Sequence, residues 1–501
     1  MPTPPYIIAL DQGTTSSRAV VFDSTGGLVG MRSKEFTQYY PQTGWVEHDP
    51  WEIWHSQLES LRGVVRDCQI PIQDIAAIGI TNQRETVLMW DRATRQPVYN
   101  AIVWQCRRTA NFCEQLKHQG HEALIRAKTG LPVDAYFSAG KIRWLLDHAD
   151  VSGKELCCGT VDSWLLYLLT GEKVHATDVT NAARTQLYNI YDNQWDDELL
   201  TLFGIPGGIL PQVRPSGSVF GYLDKAILGR EIPITAILGD QHAALFGQGC
   251  TRPGMAKNTY GTGCFLLKYT GAPVQSQHQL LTTLAWQVEG QAPEYALEGS
   301  IFMGGATIQW CRDELQLITH AADSEALACS LPDNGGVYLV PAFTGLGAPH
   351  WDMYARGTLL GMTRGTGKAH IVRAALEAIA FQTQDVLRAM TQDSGALAQL
   401  QVDGGASAND FLMQFQADLL NTPVCRPQIT ETTAQGVAWM AGLTSGLWDQ
   451  SALRNLWAEG RTFLPQQDDS WRQRMTRDWQ RAVQRTMHWL DVCDHTAQIE
   501  T

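Results

Sequence analysis

Asp11-Gln12-Gly13-Thr14-Thr15-Ser16-Ser17-Arg18 is a polar turn set between two apolar runs, Tyr6 to Leu10 and Ala19 to Phe22. Asp23-Ser24-Thr25-Gly26-Gly27 follows as another turn, and Leu28 to Met31 as a third strand. The pattern predicts a strand–turn–strand hairpin whose turn can grip phosphate. Gly13 removes the side chain that would hold a phosphate off the backbone. Thr14, Thr15 and Ser16 offer hydroxyl and N–H donors, Arg18 a rigid cationic fork, and Asp11 a carboxylate for hydrated Mg²⁺. The turn is not the Gly-x-x-x-x-Gly-Lys-Ser/Thr loop, which opens a helix. Hydroxyl-rich turns also serve simply as turns, so the hairpin alone leaves phosphate binding open.

A similar unit recurs at mid-chain. Met255 to Tyr260 leads into Gly261-Thr262-Gly263, and Cys264 to Leu267 leads out. Two such hairpins in 501 residues, too many for one compact core, imply duplicated domains that face each other and share a ligand. Gly249 to Pro253 interrupts both patterns, which divides the chain into residues 1–248 and 249–501. Strand-like runs alternate with helix-like segments throughout, the signature of an α/β architecture. Helices are expected over Trp51 to Val65, Trp164 to Leu169, Ala243 to Gln248, Ala369 to Met390, Asn409 to Leu420 and Trp471 to Leu490. In the last of these, Trp471, Met475, Trp479 and Val483 form a stripe that should pack on the body, with its arginines solvated. Strands are expected at Ile75 to Thr81, Ile232 to Leu238, Val337 to Ala342 and Leu400 to Val402.

Bulk properties exclude several classes. Thirty-eight Lys and Arg against 51 Asp and Glu give a net charge of −13, which disfavours a nucleic-acid or anionic-membrane surface. Met-Pro-Thr-Pro-Pro does not read as a secretory signal, and no apolar run approaches a membrane span. The 11 cysteines, among them Cys106, Cys113, Cys157, Cys158, Cys250, Cys264 and Cys425, lack Cys-x-x-Cys spacing. They fit reduced thiols of a cytoplasmic protein.

Chemistry concentrates at strand ends. Asp240, between Gly239 and Gln241, follows a predicted strand where α/β proteins place reactive groups, although an Asp there is commonly a helix N-cap. Arg84-Glu85 lies just beyond the strand ending at Thr81, with Trp104 and Tyr136 in neighbouring loops. A pocket of Arg, Glu, Asp and Gln walled by aromatics suits a polyhydroxylated molecule. The plainer alternatives are a surface Arg–Glu pair and ordinary core aromatics. Gly404-Gly405 before Asn409, and Gly304-Gly305 before Gln309, would each let a flat nucleotide base approach the backbone.

These motifs together resemble the FGGY carbohydrate kinases, within them the branch acting on glycerol, over nearly the whole chain. The likeness runs through Ala9 to Arg18, Gly44-Trp45-Val46-Glu47-His48-Asp49-Pro50, Gly79 to Thr86, Trp104 to Thr109 and Lys257 to Phe265, with family signatures at Tyr136 to His148 and Gly357 to Glu377. The resemblance implies two actin-like (ribonuclease H-like) ATPase domains flanking a deep cleft. It also implies ATP-dependent phosphorylation of glycerol to sn-glycerol 3-phosphate, with Asp240 as general base. By position, Arg84, Glu85, Tyr136, Asp240 and Gln241 resemble the residues holding the glycerol hydroxyls, and Trp104 and Phe265 the walls on its carbons. Thr14, Thr15, Ser16, Arg18 and Thr262 resemble the phosphate set, Gly305, Gln309, Gly405 and Asn409 the nucleoside contacts, and Asp11 the Mg²⁺ carboxylate. The family also implies a homodimer or homotetramer.

The chain departs from the pattern at His242, expected to face solvent at a helix N-terminus. Tyr222 to Glu231 differs from the loop that binds fructose 1,6-bisphosphate in some relatives and lacks the His that phosphotransferase-system regulation phosphorylates in others. Gln466 to Arg474 differs from a segment contacted by a sugar-transport regulator, so allosteric control is not carried over. The competing readings are a family kinase for another polyol or sugar, and a nucleotide-switched interaction protein.

Overall fold

A computed structural model describes residues 2–457 and 459–490. Its first half is built on a six-stranded sheet of β1 (Tyr6–Gln12), β2 (Ser16–Phe22), β3 (Leu28–Glu35), β4 (Ile75–Asn82), β5 (Gly217–Tyr222) and β6 (Pro233–Gly239), in the order β5-β6-β4-β1-β2-β3. The opening hairpin forms as expected, with Leu10 opposite Ala19 and Asp11 opposite Arg18. β1 is buried along its whole length, which is why it reads as a continuous apolar run. β4 lies parallel to β1, and β6 parallel to β4.

The second half repeats this plan in a seven-stranded sheet. Its strands are β7 (Met255–Tyr260), β8 (Cys264–Tyr269), β9 (Leu281–Trp286), β10 (Glu294–Ile301), β11 (Gln399–Asp403), β12 (Val424–Pro427) and β13 (Glu459–Phe463), in the order β9-β10-β8-β7-β11-β12-β13. Here β7 and β8 are the antiparallel hairpin, and β7, β11 and β12 run parallel. The run β3-β2-β1-β4-β6 of the first sheet thus has its counterpart in β10-β8-β7-β11-β12.

Helices cover the sheets. α1 (Pro50–Asp67) begins where Asp49 accepts from the Trp51 N–H at 2.7 Å, with Pro50 as its first residue, a favourable N-terminus. α2 is Asp240–Gly247, α3 Ala306–Asp313, α4 Lys368–Ser394, α5 Asp410–Leu420, α6 Thr432–Thr444 and α7 Asp469–Thr486. α2 starts three residues earlier than expected, with Asp240 in its first turn and Gly239 at the cap. α7 stops at Thr486 rather than Leu490, because Met487 is extended and His488 takes a positive φ of 54°. Its stripe packs as expected: Trp479 and Val483 are buried, and Trp479 stacks on Phe381 with centroids 5.0 Å apart.

One helix ties the halves together. α6 lies between β12 and β13 of the second sheet in sequence, yet it packs on β1, β4 and β6 of the first and on α2. Ile7, Ala9, Phe22, Ala77 and Leu238 share one apolar cluster with Val437, Ala438 and Met440. α6 and α2 meet backbone to backbone, for a Cβ on Gly436 would lie 1.8 Å from the Ala243 carbonyl oxygen, and one on Gly247 would lie 2.1 Å from that of Thr432. Only glycine permits that approach. Gly436→Ala should therefore cost about 3 kcal/mol or more, the upper end of the usual penalty for overpacking. A chemical-denaturation midpoint equal to that of the parent chain would show that the crossing tolerates a side chain.

Candidate functional site

Parallel strands that end in one row bring the following residues side by side. Asp11 pairs with Thr81, Gln12 with Asn82, and Asn82 with Gly239. The segments beyond those rows carry Gly13 to Thr15, Gln83 to Glu85 and Asp240. On the second sheet Thr259 pairs with Asp403, so the Gly261-Thr262-Gly263 turn and Gly404-Gly405 leave from one edge. Ligands of α/β folds sit at such carboxyl ends.

Arg84 is the centre of the first group. Its Nη1 and Nη2 donate to Glu298 at 2.7 and 2.8 Å, and its Nε lies 3.2 Å from Asp240 Oδ1. Glu85 sits in the left-handed region at φ 59°, uncommon for a non-glycine residue, and turns its carboxylate toward Arg184, whose Nε donates at 2.6 Å. Arg84 and Glu85 are therefore neither exposed nor paired with each other, and the surface-pair alternative is removed. The Asp240 side chain keeps 29% of its surface exposed. Burial raises its carboxyl above the usual range, while Arg84 and then Lys257 pull the other way.

Three rings wall this group. Trp104 meets Tyr136 with centroids 5.7 Å apart and Phe265 at 6.3 Å, both edge to face. Its indole Nε1 donates to Thr14 Oγ1 at 3.0 Å, joining the wall to the opening turn. Phe265 belongs to the second half, so the wall is built from both. Gln241 Oε1 accepts from Lys257 Nζ, which also donates to Thr259 Oγ1 at 2.9 Å. Burial depresses that ammonium to about 8, with Asp403 pulling it back.

In the opening turn, Gly13 N donates to Ser16 O at 2.9 Å. Thr15 is exposed, and Thr14 and Ser16 are half-buried. Arg18 lies between two carboxylates, 3.1 Å from Asp11 and 2.8 Å from Glu431. Burial pushes Asp11 up to about 6 against the attraction of Arg18, and no hydrogen-bond donor is aligned on its Oδ2. The second turn is clasped by the glycine pair before α3, since Gly305 N donates to Gly261 O and Gly304 N to Thr262 O, both at 2.8 Å. A Cβ on Gly305 would lie 3.9 Å from that of Ala406, so the two glycine-rich loops adjoin. Gln309 and Gly405 are exposed beside them. Asn409 caps α5 by accepting from Leu412 N at 2.9 Å and donates to Ser324 at 3.2 Å, which leaves its amide a second N–H for a ligand.

His242 overturns its expectation. It is fully buried rather than solvent-facing, with Nε2 3.4 Å from Thr283 Oγ1 and no partner on Nδ1. The physical reason is that α2 has no wet face from His242 to Gly247, being enclosed by β6, β9 and α6. Burial, reinforced by Arg84, holds its pKa well below the usual value. Four other residues were not singled out from the sequence: Glu298, Arg184, Lys257 and Glu431. For Glu298 the signal was available, an acid in the middle of the apolar strand Tyr295-Ala296-Leu297-Glu298.

The chain matches the model of the FGGY family of carbohydrate kinases, N-terminal domain, over residues 6–247, and that of the C-terminal domain over residues 256–445. A glycerol kinase of Caldanaerobacter subterraneus subsp. tengcongensis is 56% identical over 494 residues, covering 97% of this chain and 99% of its own. Glycerol kinase 2 of Thermotoga maritima is 55% identical, again over 97% and 99%. The crystal structure of Plasmodium falciparum glycerol kinase with ADP matches at TM-score 0.91 and 36% identity, over 97% of this chain and 99% of that one. A ligand-bound xylulose kinase from Lactobacillus acidophilus, 22% identical over 94% of this chain and 96% of its own, shares the fold at TM-score 0.85.

His242 gives a pH-dependent signature. In the unfolded chain it protonates below about pH 6.5, whereas the buried ring stays neutral. The unfolded state then binds more protons, and stability is lost as pH falls. Between pH 6.5 and 5 this amounts to about 2 kcal/mol. His242→Gln should lose less stability than the parent over that interval, measured by urea denaturation. Equal losses would mean that the buried ring accepts a proton.

Proposed function

The chain belongs to the FGGY family of carbohydrate kinases, and we propose that it phosphorylates glycerol with ATP as donor, giving sn-glycerol 3-phosphate. The observation that carries this reading is the convergence of Asp240, Arg84 and the Trp104, Tyr136 and Phe265 rings beside Thr14 of the opening turn. Arg84, Glu85, Tyr136, Asp240 and Gln241 bind the hydroxyls, and Trp104 and Phe265 pack on the carbons. A guanidinium has five N–H donors; the three contacts of Arg84 leave two for the substrate. Thr14, Thr15, Ser16, Arg18 and Thr262 take the phosphates, and Gly305, Gln309, Gly405 and Asn409 the nucleoside.

Asp240 accepts the proton of the terminal hydroxyl as that oxygen attacks the γ-phosphorus in line, and the bridging oxygen leaves with ADP. Burial makes Asp240 a stronger base, while Arg84 and Lys257 keep it ionised. N–H and hydroxyl donors of the two turns, with Arg18, stabilise charge on the transferring group. The aromatic wall keeps water, a competing acceptor, from the attacking position.

The residues present suit a magnesium ion. Asp11 is a buried carboxylate with a raised pKa and an oxygen without an aligned donor, and a cation beside it would offset both. Asp11 would hold Mg²⁺ with phosphate oxygens and water completing its shell. Bound there, the ion supplies positive charge to the triphosphate. Among the described residues no helix is long and apolar enough to cross a membrane. Family likeness supports a homodimer or homotetramer, which light scattering tests, and the scattered cysteines support a cytoplasmic location.

Asp240→Asn should lower kcat by about 10²–10⁴-fold, the usual worth of a general base, while nucleotide binding persists. Near-normal turnover would remove Asp240 from the base role. Because Asp240 must be unprotonated, kcat/KM should fall on the acid side at a pH above the ordinary Asp range. Arg84→Ala should raise the glycerol KM and leave the ATP KM unchanged; an unaltered glycerol KM removes Arg84 from the pocket.

A further inference from the structure

Five charged side chains form an unbroken series through the interior: Asp240, Arg84, Glu298, Arg184 and Glu85. Four of them belong to the first half. The central one, Glu298, arrives from β10 of the second sheet, 214 residues from Arg84 in sequence. Its carboxylate is fully buried and is occupied on both oxygens. Oε1 accepts from Arg84 Nη2 at 2.8 Å and Arg184 Nη2 at 3.3 Å, and Oε2 lies 2.7 Å from Arg84 Nη1 and 3.2 Å from Arg184 Nη1.

The two arginines are used alike. Each turns its Nη edge to Glu298 and its Nε toward a carboxylate of the polyol group: Arg84 toward Asp240 at 3.2 Å, and Arg184 toward Glu85 at 2.6 Å. A guanidinium is planar and rigid, so fixing one edge fixes the direction of the other. Glu298 therefore sets the aim of both arginines, and through them the placement of Asp240 and Glu85. Fully buried and faced by both forks, its carboxylate is turned to the arginines rather than to substrate.

We propose that Glu298 is a positioning residue for the polyol site, supplied by the second half to organise the pocket of the first. Three acids and two arginines leave this buried group one negative charge in excess. A buried ion cluster is weak support for stability, since apolar residues of similar volume often serve as well or better. Directional control of two forks is a role that apolar packing cannot fill. The inference rests on the reading that Asp240, Glu85 and Arg84 hold glycerol.

Glu298→Asp keeps the charge and withdraws the carboxylate by about one carbon–carbon bond, roughly 1.5 Å. The expected result in the folded variant is a glycerol KM raised about tenfold or more, with the ATP KM within about twofold. Arg184→Lys, which keeps charge but cannot reach two carboxylates with a fixed fork, should give the same selective rise and serves if Glu298→Asp does not fold. An unchanged glycerol KM in folded Glu298→Asp, beside a raised one in Arg84→Ala, overturns the role of Glu298 alone. No change in either variant overturns the polyol reading and the proposal with it. Equal rises in both KM values with a lowered melting temperature would reduce Glu298 to a structural ion pair.

Discussion

Strands β1, β4 and β6 hydrogen-bond in parallel and stop in one row, Gln12 opposite Asn82 and Asn82 opposite Gly239. The proposed roles of Asp11, Arg84 and Asp240 hang on that row. A slip of one residue in any strand would send its side chains to the opposite face, carrying Asp11, Arg84 or Asp240 out of the group. The register is held because both faces of β1 are buried. α6 reinforces it, lying across the three strands with its backbone against α2. Apolar packing thus fixes positions to which the polar chemistry is attached.

The halves are joined by unlike contacts. On one side is the apolar seam of α6, which is broad and non-directional. On the other are narrow polar bridges: Glu298 to the two arginines, Lys257 to Gln241, and Arg18 to Glu431. Each bridge carries a charge from one half into the other, and each ends on a group of the proposed substrate or phosphate sites. The arrangement makes the site a property of the assembled pair of domains rather than of either alone.

Much of this was legible in the sequence because its signals are local. The hairpins announce themselves through apolar runs that close on Gly- and Thr-rich turns, and α7 through the spacing of Trp471, Met475, Trp479 and Val483. Asp240 and Arg84 stand out in the sequence because both follow predicted strands, and the structure brings them together. Glu298, Arg184, Lys257 and Glu431 were missed because their roles depend on tertiary packing. For Glu298 and Glu431 the partners lie far off in sequence, 214 residues for Arg84 and Glu298 and 413 for Arg18 and Glu431. Arg184 reaches Glu85 across 99 residues, so the pairing itself leaves no trace in neighbouring residues. Lys257 has partners only 16 and 2 residues away, but it reads as an ordinary strand residue until burial is known. His242 was misjudged for a related reason: the enclosure of α2 is decided by α6 and β9, neither of which is adjacent in the chain.

The bond from Trp104 to Thr14 has one more consequence. An indole N–H can only donate, so the Thr14 oxygen is the acceptor in that 3.0 Å contact. The hydroxyl is then no longer a free rotor: one lone pair is committed, and its hydrogen must point away from the ring. A hydroxyl with that polarity presents a proton, not a lone pair, to an anion beside the turn. The ring beside the proposed polyol group thereby orients an O–H of the proposed phosphate turn.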